Sequence, residues 1–265
     1  MQTLVKMEGI TKEFPGVKAL DNISLEINAG EVHVLLGENG AGKSTLMKIL
    51  SGVYTPTSGK ITVKGKEYSH LTPQDSYENG ISIIYQELSV INELSILENL
   101  FVGKLPTHKV AGFSVVDYKK MRETAQEVLA KVGVKRDPKM FVENISISEK
   151  QQVEIAKALA SNADVIIMDE PTTALDVVVQ REIIEEISEL RRDKGFSVIF
   201  ITHDLPMLLE ITDKIAVMKD GVIVEQGVSE DVYFNPKHPY TQRLLSSFPS
   251  LTGDRGSFVR VPRHA

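Results

Sequence analysis

Gly37-Glu38-Asn39-Gly40-Ala41-Gly42-Lys43-Ser44-Thr45 matches the pattern G-x-x-x-x-G-K-[ST] at every fixed position. Its flanks say how it folds. Glu31 to Leu36, just before it, is a short and mostly apolar run with the composition of a strand, and Leu46 to Leu50, just after it, continues as a helix. Strand, glycine loop and helix together make a cradle: the glycines let the backbone curl so that successive N–H groups point inward, and the positive end of the helix adds attraction for an anion. The reading is a phosphate-binding loop in which Lys43 reaches the β and γ phosphates of a nucleotide and the Ser44 hydroxyl ligates Mg²⁺. The loop motif occurs once in the chain, so one nucleotide site per chain is expected.

The chain has 265 residues, 42% hydrophobic and 25% charged, the balance of a globular protein large enough to bury a sizeable core. Thirty Lys and Arg against 36 Asp and Glu leave a net charge of -6, so nucleic acid is not the expected partner. Cysteine is absent, which excludes disulfides and thiolate metal sites. No apolar run approaches the ~20 residues of a membrane-spanning helix, and Lys6 and Glu8 fall where a signal peptide would be apolar, so the chain is expected to be neither secreted nor membrane-spanning.

In chain order, residues 2 to 30 read as short apolar strands alternating with turns, of which Phe14-Pro15-Gly16 is one. An aromatic ring near a nucleotide site can stack on adenine or can belong to the core, and both readings of Phe14 stand. Ile61 to Val63 reads as a strand behind the turn Pro56 to Gly59, and Ile81 to Tyr85 as a buried strand ending on Gln86, at the sheet edge where ligands bind in α/β folds. From Ser95 to Ser161 the pattern is mostly helical, a helical insert whose longest segment is Asp117 to Val132. Ser148 to Ala160 within it is an amphipathic helix, with Val153, Ala156, Leu159 and Ala160 on the buried face and the Gln and Glu residues on a solvated one. Val165 to Met168 then runs into Asp169 and Glu170. Beside a phosphate-binding loop, Mg²⁺ takes a carboxylate and hydrolysis takes a base for water, which assigns Asp169 to the metal and Glu170 to the water. Val178 to Asp193 reads as a long charged helix, and Ser197 to Ile201 as a strand whose end puts His203 toward the γ-phosphate. Lys214 to Gln226 reads as a hairpin about Asp220-Gly221. Asn235 to Ala265 holds four of the 11 prolines and few patterned segments, with 251–265 expected to be a disordered tail.

The set Gly37 to Thr45, Gln86, Asp169-Glu170, Asp176 and His203, in this order and with a helical stretch between the second and third, resembles the nucleotide-binding subunit of ATP-binding cassette (ABC) transporters over nearly the whole chain. The resemblance implies an α/β fold with a P-loop NTPase core and mixed sheet, an N-terminal antiparallel β subdomain and a helical insert at about 88–161, all in one ATPase domain spanning 1–250. It implies Phe14 as the adenine-stacking position. Gln86 becomes the residue that senses Mg²⁺ and relays to integral-membrane permease subunits, Asp176 the one that touches a partner cassette, and His203 the switch. The nucleotide contacts it implies are Gly37, Asn39, Gly40, Ala41, Gly42, Lys43, Ser44 and Thr45 of the loop, with ATP and Mg²⁺ as ligands. Two cassettes, identical or not, pair head to tail, each ATP lying between one loop and the other's signature segment. The expected location is cytoplasmic, peripheral on the inner face of the cell membrane.

The family signature is Leu-Ser-Gly-Gly-Gln, and the matching residues here are Ile145-Ser146-Ile147-Ser148-Glu149. Ser146 is kept and both glycines are lost. Ser148 puts a side chain where the family's backbone approaches the γ-phosphate, and Glu149 adds a negative charge, which weakens closure unless the carboxylate points at the ribose hydroxyls. Up to about Asp169 the wording, with Phe14 to Leu20 and Gln152 to Leu159, resembles the first half of tandem-cassette monosaccharide importers. From Thr172, Thr172 to Asp176 and Asn235 to Thr241 resemble oligopeptide importer subunits. Asp169 to Thr172 is then a crossover point of a hybrid, the alternative being one lineage that drifted. The resemblance implies an ATPase powering an importer, carbohydrate favoured over oligopeptide. A soluble cassette acting on ribosomes or DNA repair, and a regulatory nucleotide-binding module, are the alternatives.

Overall fold

The computed structural model describes residues 2–110, 113–169, 177–202 and 205–248. Chain order begins with β1 (Thr3–Phe14), β2 (Val17–Asn28), β3 (Val32–Leu36), α1 (Lys43–Leu50), β4 (Ser58–Val63), β5 (Lys66–Tyr68), α2 (Pro73–Glu78) and β6 (Ile81–Ile84). The insert follows, with α3 (Ile96–Phe101), β7 (Thr107–Val110), β8 (Phe113–Val116), α4 (Tyr118–Lys131) and α5 (Ile147–Ala160). The remainder is β9 (Val165–Asp169), α6 (Val177–Lys194), β10 (Ser197–Thr202), β11 (Lys214–Lys219), β12 (Val222–Val228), α7 (Ser229–Phe234) and α8 (Pro239–Ser246).

Among the described residues the central sheet runs β12-β11-β3-β10-β9-β6, all parallel except β12, which pairs antiparallel with β11. A second sheet, β2-β1-β4-β5, is antiparallel. The mixed sheet, the antiparallel N-terminal layer and the helical layer therefore stand as the resemblance implies. The reason lies in the side-chain alternation of the central strands. Val32, Val34 and Leu36 of β3 pack with the helices of the insert and α6, while Leu35 turns to the opposite face and packs with α1 and the antiparallel sheet. Ile166 and Met168 of β9, against Val165 and Ile167, divide the same way. Strands covered on both faces are largely apolar, which is why these read as near-continuous hydrophobic runs; the buried exception in β3, His33, pairs with Glu31 at 2.9 Å.

Helix starts follow local chemistry. Thr72, Ser95 and Ser146 each begin a helix with a reciprocal capping box closed by Asp75, Glu98 and Glu149. α6 buries Ile183, Ile184, Ile187 and Leu190, spaced for one helical stripe, in the core that also holds Phe200. α1 buries Leu46, Met47, Ile49 and Leu50 on the other side of the sheet.

Four expectations change. The N-terminal region is two long strands of 12 residues each, because register shifts near Gly9 and Asn22, both at positive φ, absorb the polar breaks that make the sequence look segmented. The helical insert contains the antiparallel hairpin β7–β8. The face of α5 read as solvated is largely covered: Gln151 and Glu154 are buried, and the Glu154 carboxylate accepts from the Ser89 N–H and hydroxyl, both at 2.7 Å. The stretch from Asn235 carries an ordered helix, α8. Among the described residues no helix is long and apolar enough to cross a membrane, and 251–265 lie outside them.

Candidate nucleotide site

β3 is buried at all five residues and ends at Leu36, so the loop that follows emerges from a rigid base at the carboxyl end of the sheet. Gly40 and Gly42 sit at φ 83° and 101°, left-handed values that glycine adopts without strain. Space as well as angle demands glycine. A Cβ on Gly37 would lie 2.3 Å from Met218 O, and one on Gly42 would lie 2.8 Å from Ala19 O and from Leu20 Cδ2. The loop is thus clasped between the β1–β2 hairpin and the end of β11. Gly221 N–H, in the turn after β11, donates to Ala41 O at 3.1 Å.

α1 starts at Lys43, with Gly42 as its N-cap and no side chain capping it. Its first-turn N–H groups therefore face the loop, as an anion site requires. Lys43 is buried, and its Nζ donates to Gly37 O at 2.7 Å and Glu38 O at 3.0 Å. Asn39 and Gly40 are exposed at the crest, while Ala41 is buried below them and Thr45 is half-buried in the first turn of α1.

Ser44 Oγ donates to Asp169 Oδ1 at 3.1 Å, across 125 residues of chain. β9 delivers Asp169 to this spot because its neighbour β10 pairs with both β9 and β3, Ile201 opposite Asp169 and Thr202 opposite Leu36. A hydroxyl and a carboxylate are the hard oxygen donors Mg²⁺ takes, and two cis ligands on an octahedral shell with bonds of 2.0–2.1 Å stand about 3.0 Å apart. The pair fits the ion. Ile84 pairs with Met168, so β6 ends level with β9, and Gln86, exposed, follows two residues later on the same rim. Glu170, Asp176 and His203 lie outside the described residues.

Phe14 closes β1 opposite Val17, half-buried, with its ring edge-to-face on Tyr54 at 5.4 Å and Lys12 Nζ 5.0 Å from its centroid. It belongs to neither hydrophobic core. The hairpin that bears it is the one whose Ala19 and Leu20 press on Gly42.

At the start of α5, Ser146 is the N-cap: its Oγ accepts from Glu149 N–H at 3.2 Å, and Glu149 Oε2 accepts from Ser146 N–H at 2.9 Å. Glu149 Oε1 also accepts from Arg136 Nε at 2.6 Å. The guanidinium, then the Ser146 N–H, hold this carboxyl below its ordinary range despite partial burial. The expectation of an unbalanced charge at Glu149 is therefore corrected: the carboxylate is turned back on its own helix and neutralised by Arg136. Bulk remains, with Ile147 58% exposed at the first glycine position and Ser148 half-buried at the second.

The family model described as ABC transporter matches residues 20–173. The chain belongs to the ABC transporter family. Among solved structures, this cassette is similar to an ATP-binding cassette of an ABC transporter in its ADP conformation, at TM-score 0.82 and 26% identity over 94% of this chain and 100% of the other. It is also similar to a dimeric cassette in a post-hydrolysis state bound to ADP and Pi, at TM-score 0.72 and 26% identity, covering 85% of this chain and 99% of that one. Curated relatives include the galactose/methyl galactoside import ATP-binding protein MglA of Clostridium tetani, 43% identical over 97% of this chain and 51% of the relative. The D-allose import ATP-binding protein AlsA of Escherichia coli is 46% identical over 86% and 44%. The cassette thus spans about half the length of these relatives. A second model, the oligopeptide/dipeptide transporter C-terminal region, matches residues 224–264. Both resemblances in the chain are thereby present. Likeness to the sugar importers extends past Asp169, since the AlsA match alone spans 228 residues.

Two features of the cassette escape sequence reading. Tyr240 Oη, from α8, accepts the N–H of Glu38 at 3.2 Å; a contact across 202 residues leaves no periodic signal, and the oligopeptide-importer resemblance over Asn235 to Thr241 does not point to the loop. A cleft of about 720 Å³ opens between the insert and the core, lined by Phe101, Leu105, Lys120, Lys157 and Ala160 among others. Only the three-dimensional meeting of α3, α4 and α5 creates it.

Proposed function

We propose that the cassette is the ATP-hydrolysing subunit of an importer, working on the cytoplasmic face of the cell membrane with permease subunits and a second cassette. The observation that carries this is the convergence of Ser44 and Asp169 at 3.1 Å beside Lys43, on a loop that only glycine can build. In this reading the loop N–H groups and Lys43 bind the phosphates of ATP, Phe14 stacks on adenine, and Ser44 and Asp169 hold Mg²⁺ with Gln86 at its rim. Bound Mg²⁺ supplies charge neutralisation on the β and γ phosphates. Glu170 orients water and takes its proton, and His203 holds the γ-phosphate. Ser146, Ser148 and Asp176 face the nucleotide of the paired cassette, and the neutralised Glu149 removes one obstacle to that pairing.

Carbohydrate is the favoured solute class because relatives named for galactose and D-allose import align over 86% or more of this chain. The match of 224–264 to the oligopeptide/dipeptide region supports a peptide importer as the second reading. The 720 Å³ cleft is the surface for a permease loop, since most of its walls come from the insert, with Ser82 of β6 beside them.

The test is Glu170→Gln. Turnover should fall by about 10²- to 10⁴-fold, the usual contribution of a general base, with ATP still bound. Solution mass of this variant with and without ATP reads the pairing: an ATP-dependent dimer supports a self-sufficient motor, and a monomer that binds ATP points to a different partner cassette. Unchanged turnover would remove Glu170 from the role.

A further inference from the structure

One peptide plane in the phosphate-binding loop is gripped from both ends. Its carbonyl, Gly37 O, accepts from Lys43 Nζ at 2.7 Å, and its N–H, on Glu38, donates to Tyr240 Oη at 3.2 Å. The two grips differ in kind. Lys43 also holds Glu38 O and is the cation that reaches for phosphate, so engaging ATP would divide its three donors between the phosphates and these carbonyls. Tyr240 has no phosphate to follow.

We propose that Tyr240 is a positioning residue of the loop, keeping the Gly37–Glu38 plane in its binding orientation when Lys43 turns to the nucleotide, so that α8 helps to set the affinity for ATP. This rests on the ATP-binding reading above. The phenol is 5% exposed and packs in the core with Val217 and Phe200. Burial raises its pKa, so the oxygen stays a neutral hydroxyl whose lone pairs accept. Its aim is fixed from below. His238 Nδ1 accepts from Tyr240 N–H at 3.1 Å, and Pro239 stands in the first turn of α8. Glu225 of β12 accepts from the N–H groups of Lys237 at 2.8 Å and His238 at 3.0 Å, and Gln242 Nε2 donates to Pro236 O at 2.9 Å. The segment before α8 is thereby tied to β12, whose hairpin with β11 already grips Ala41 through Gly221. Loop, hairpin and C-terminal helix form one mechanical unit.

Tyr240→Phe keeps the ring and removes only the accepting oxygen. Its Kd for ATP, by direct titration of the full chain, should rise about three- to tenfold, the span of one net hydrogen bond. Affinity for adenosine, which has no phosphates, should not change. Leu244→Ala, half-buried on the same helix, trims an apolar contact but keeps the Tyr240 oxygen and its His238 tether, and should leave the ATP Kd within about twofold. Amide hydrogen exchange at Glu38 in nucleotide-free protein should quicken in Tyr240→Phe. Equal Kd and exchange in wild type and Tyr240→Phe, or equal ATP losses in both variants, would overturn the inference. Failure of the wild-type chain to bind ATP would instead overturn the reading under Proposed function.

Discussion

Glu149 shows how one side chain can be misjudged by its charge alone. At the start of a helix a carboxylate is stabilised by the first-turn N–H groups and the dipole, and here Arg136 and Ser146 complete its shell. Because its folded pKa is depressed, its contribution is present above the ordinary carboxylate value and is lost as pH falls through the lowered one. Glu149→Gln should therefore cost about 1 kcal/mol near neutral pH and progressively less as pH falls below the ordinary carboxylate range, read from urea midpoints across that range. Gly42→Ala is a harsher change at the same scale. Its new methyl would meet Ala19 O and Leu20 Cδ2 at 2.8 Å in a left-handed backbone, and a loss of about 1–3 kcal/mol with weakened ATP binding is expected. The glycines, Lys43 and Ser44 of the site were legible in the sequence because they share one fixed local spacing, and Asp169 because it ends an apolar strand beside that loop. The contacts of Tyr240 and Arg136 were not, since no local spacing links Tyr240 to Glu38 or Arg136 to Glu149.

Elements were legible where burial imposes a period. β3, β9 and β10 are covered on both faces and read as mostly apolar runs, and α6 carries its stripe of isoleucines and leucine. The β7–β8 hairpin carries no such mark, because Phe113 and Val115 lie exposed and no core demands their alternation. α5 misleads for the opposite reason. It packs against α3 and α4 on one side and the segment after Gln86 on another, so Glu154 is buried but satisfied by Ser89. Glu154→Ala should cost about 1–3 kcal/mol and free the stretch from Gln86 to Ser89, detectable as faster amide exchange there. Leu105, 52% exposed at the mouth of the cleft, offers the complementary test. Leu105→Asp should leave basal ATP turnover unchanged and abolish its stimulation by permease-bearing membranes; stimulation at the wild-type level would move the docking surface elsewhere.

At the scale of the whole molecule, one sheet separates and joins two hydrophobic cores. The helices of the insert share their core with Val32, Ile166 and Phe200, and α1 shares the other with Leu35, Ile167 and Ile201. Neither core survives without the strands between them, so urea unfolding should be a single transition by far-UV dichroism and by tyrosine fluorescence. Two separated transitions would show the insert melting alone. The same packing bears on the chain's mixed ancestry. α1, before the crossover point, buries Leu46, Met47, Ile49 and Leu50, and α6, after it, buries Ile183, Ile184, Ile187 and Leu190, so both sides of that point contribute to the cores. The central strand also sets a timetable. β3 lies between β10 and β11, both encoded far downstream, and at roughly 5–20 residues per second a ribosome takes about ten to thirty seconds to deliver them. Through that interval the nascent strand has no neighbour on either edge, which makes the birth of this protein, more than its mature state, the moment when it most needs a chaperone.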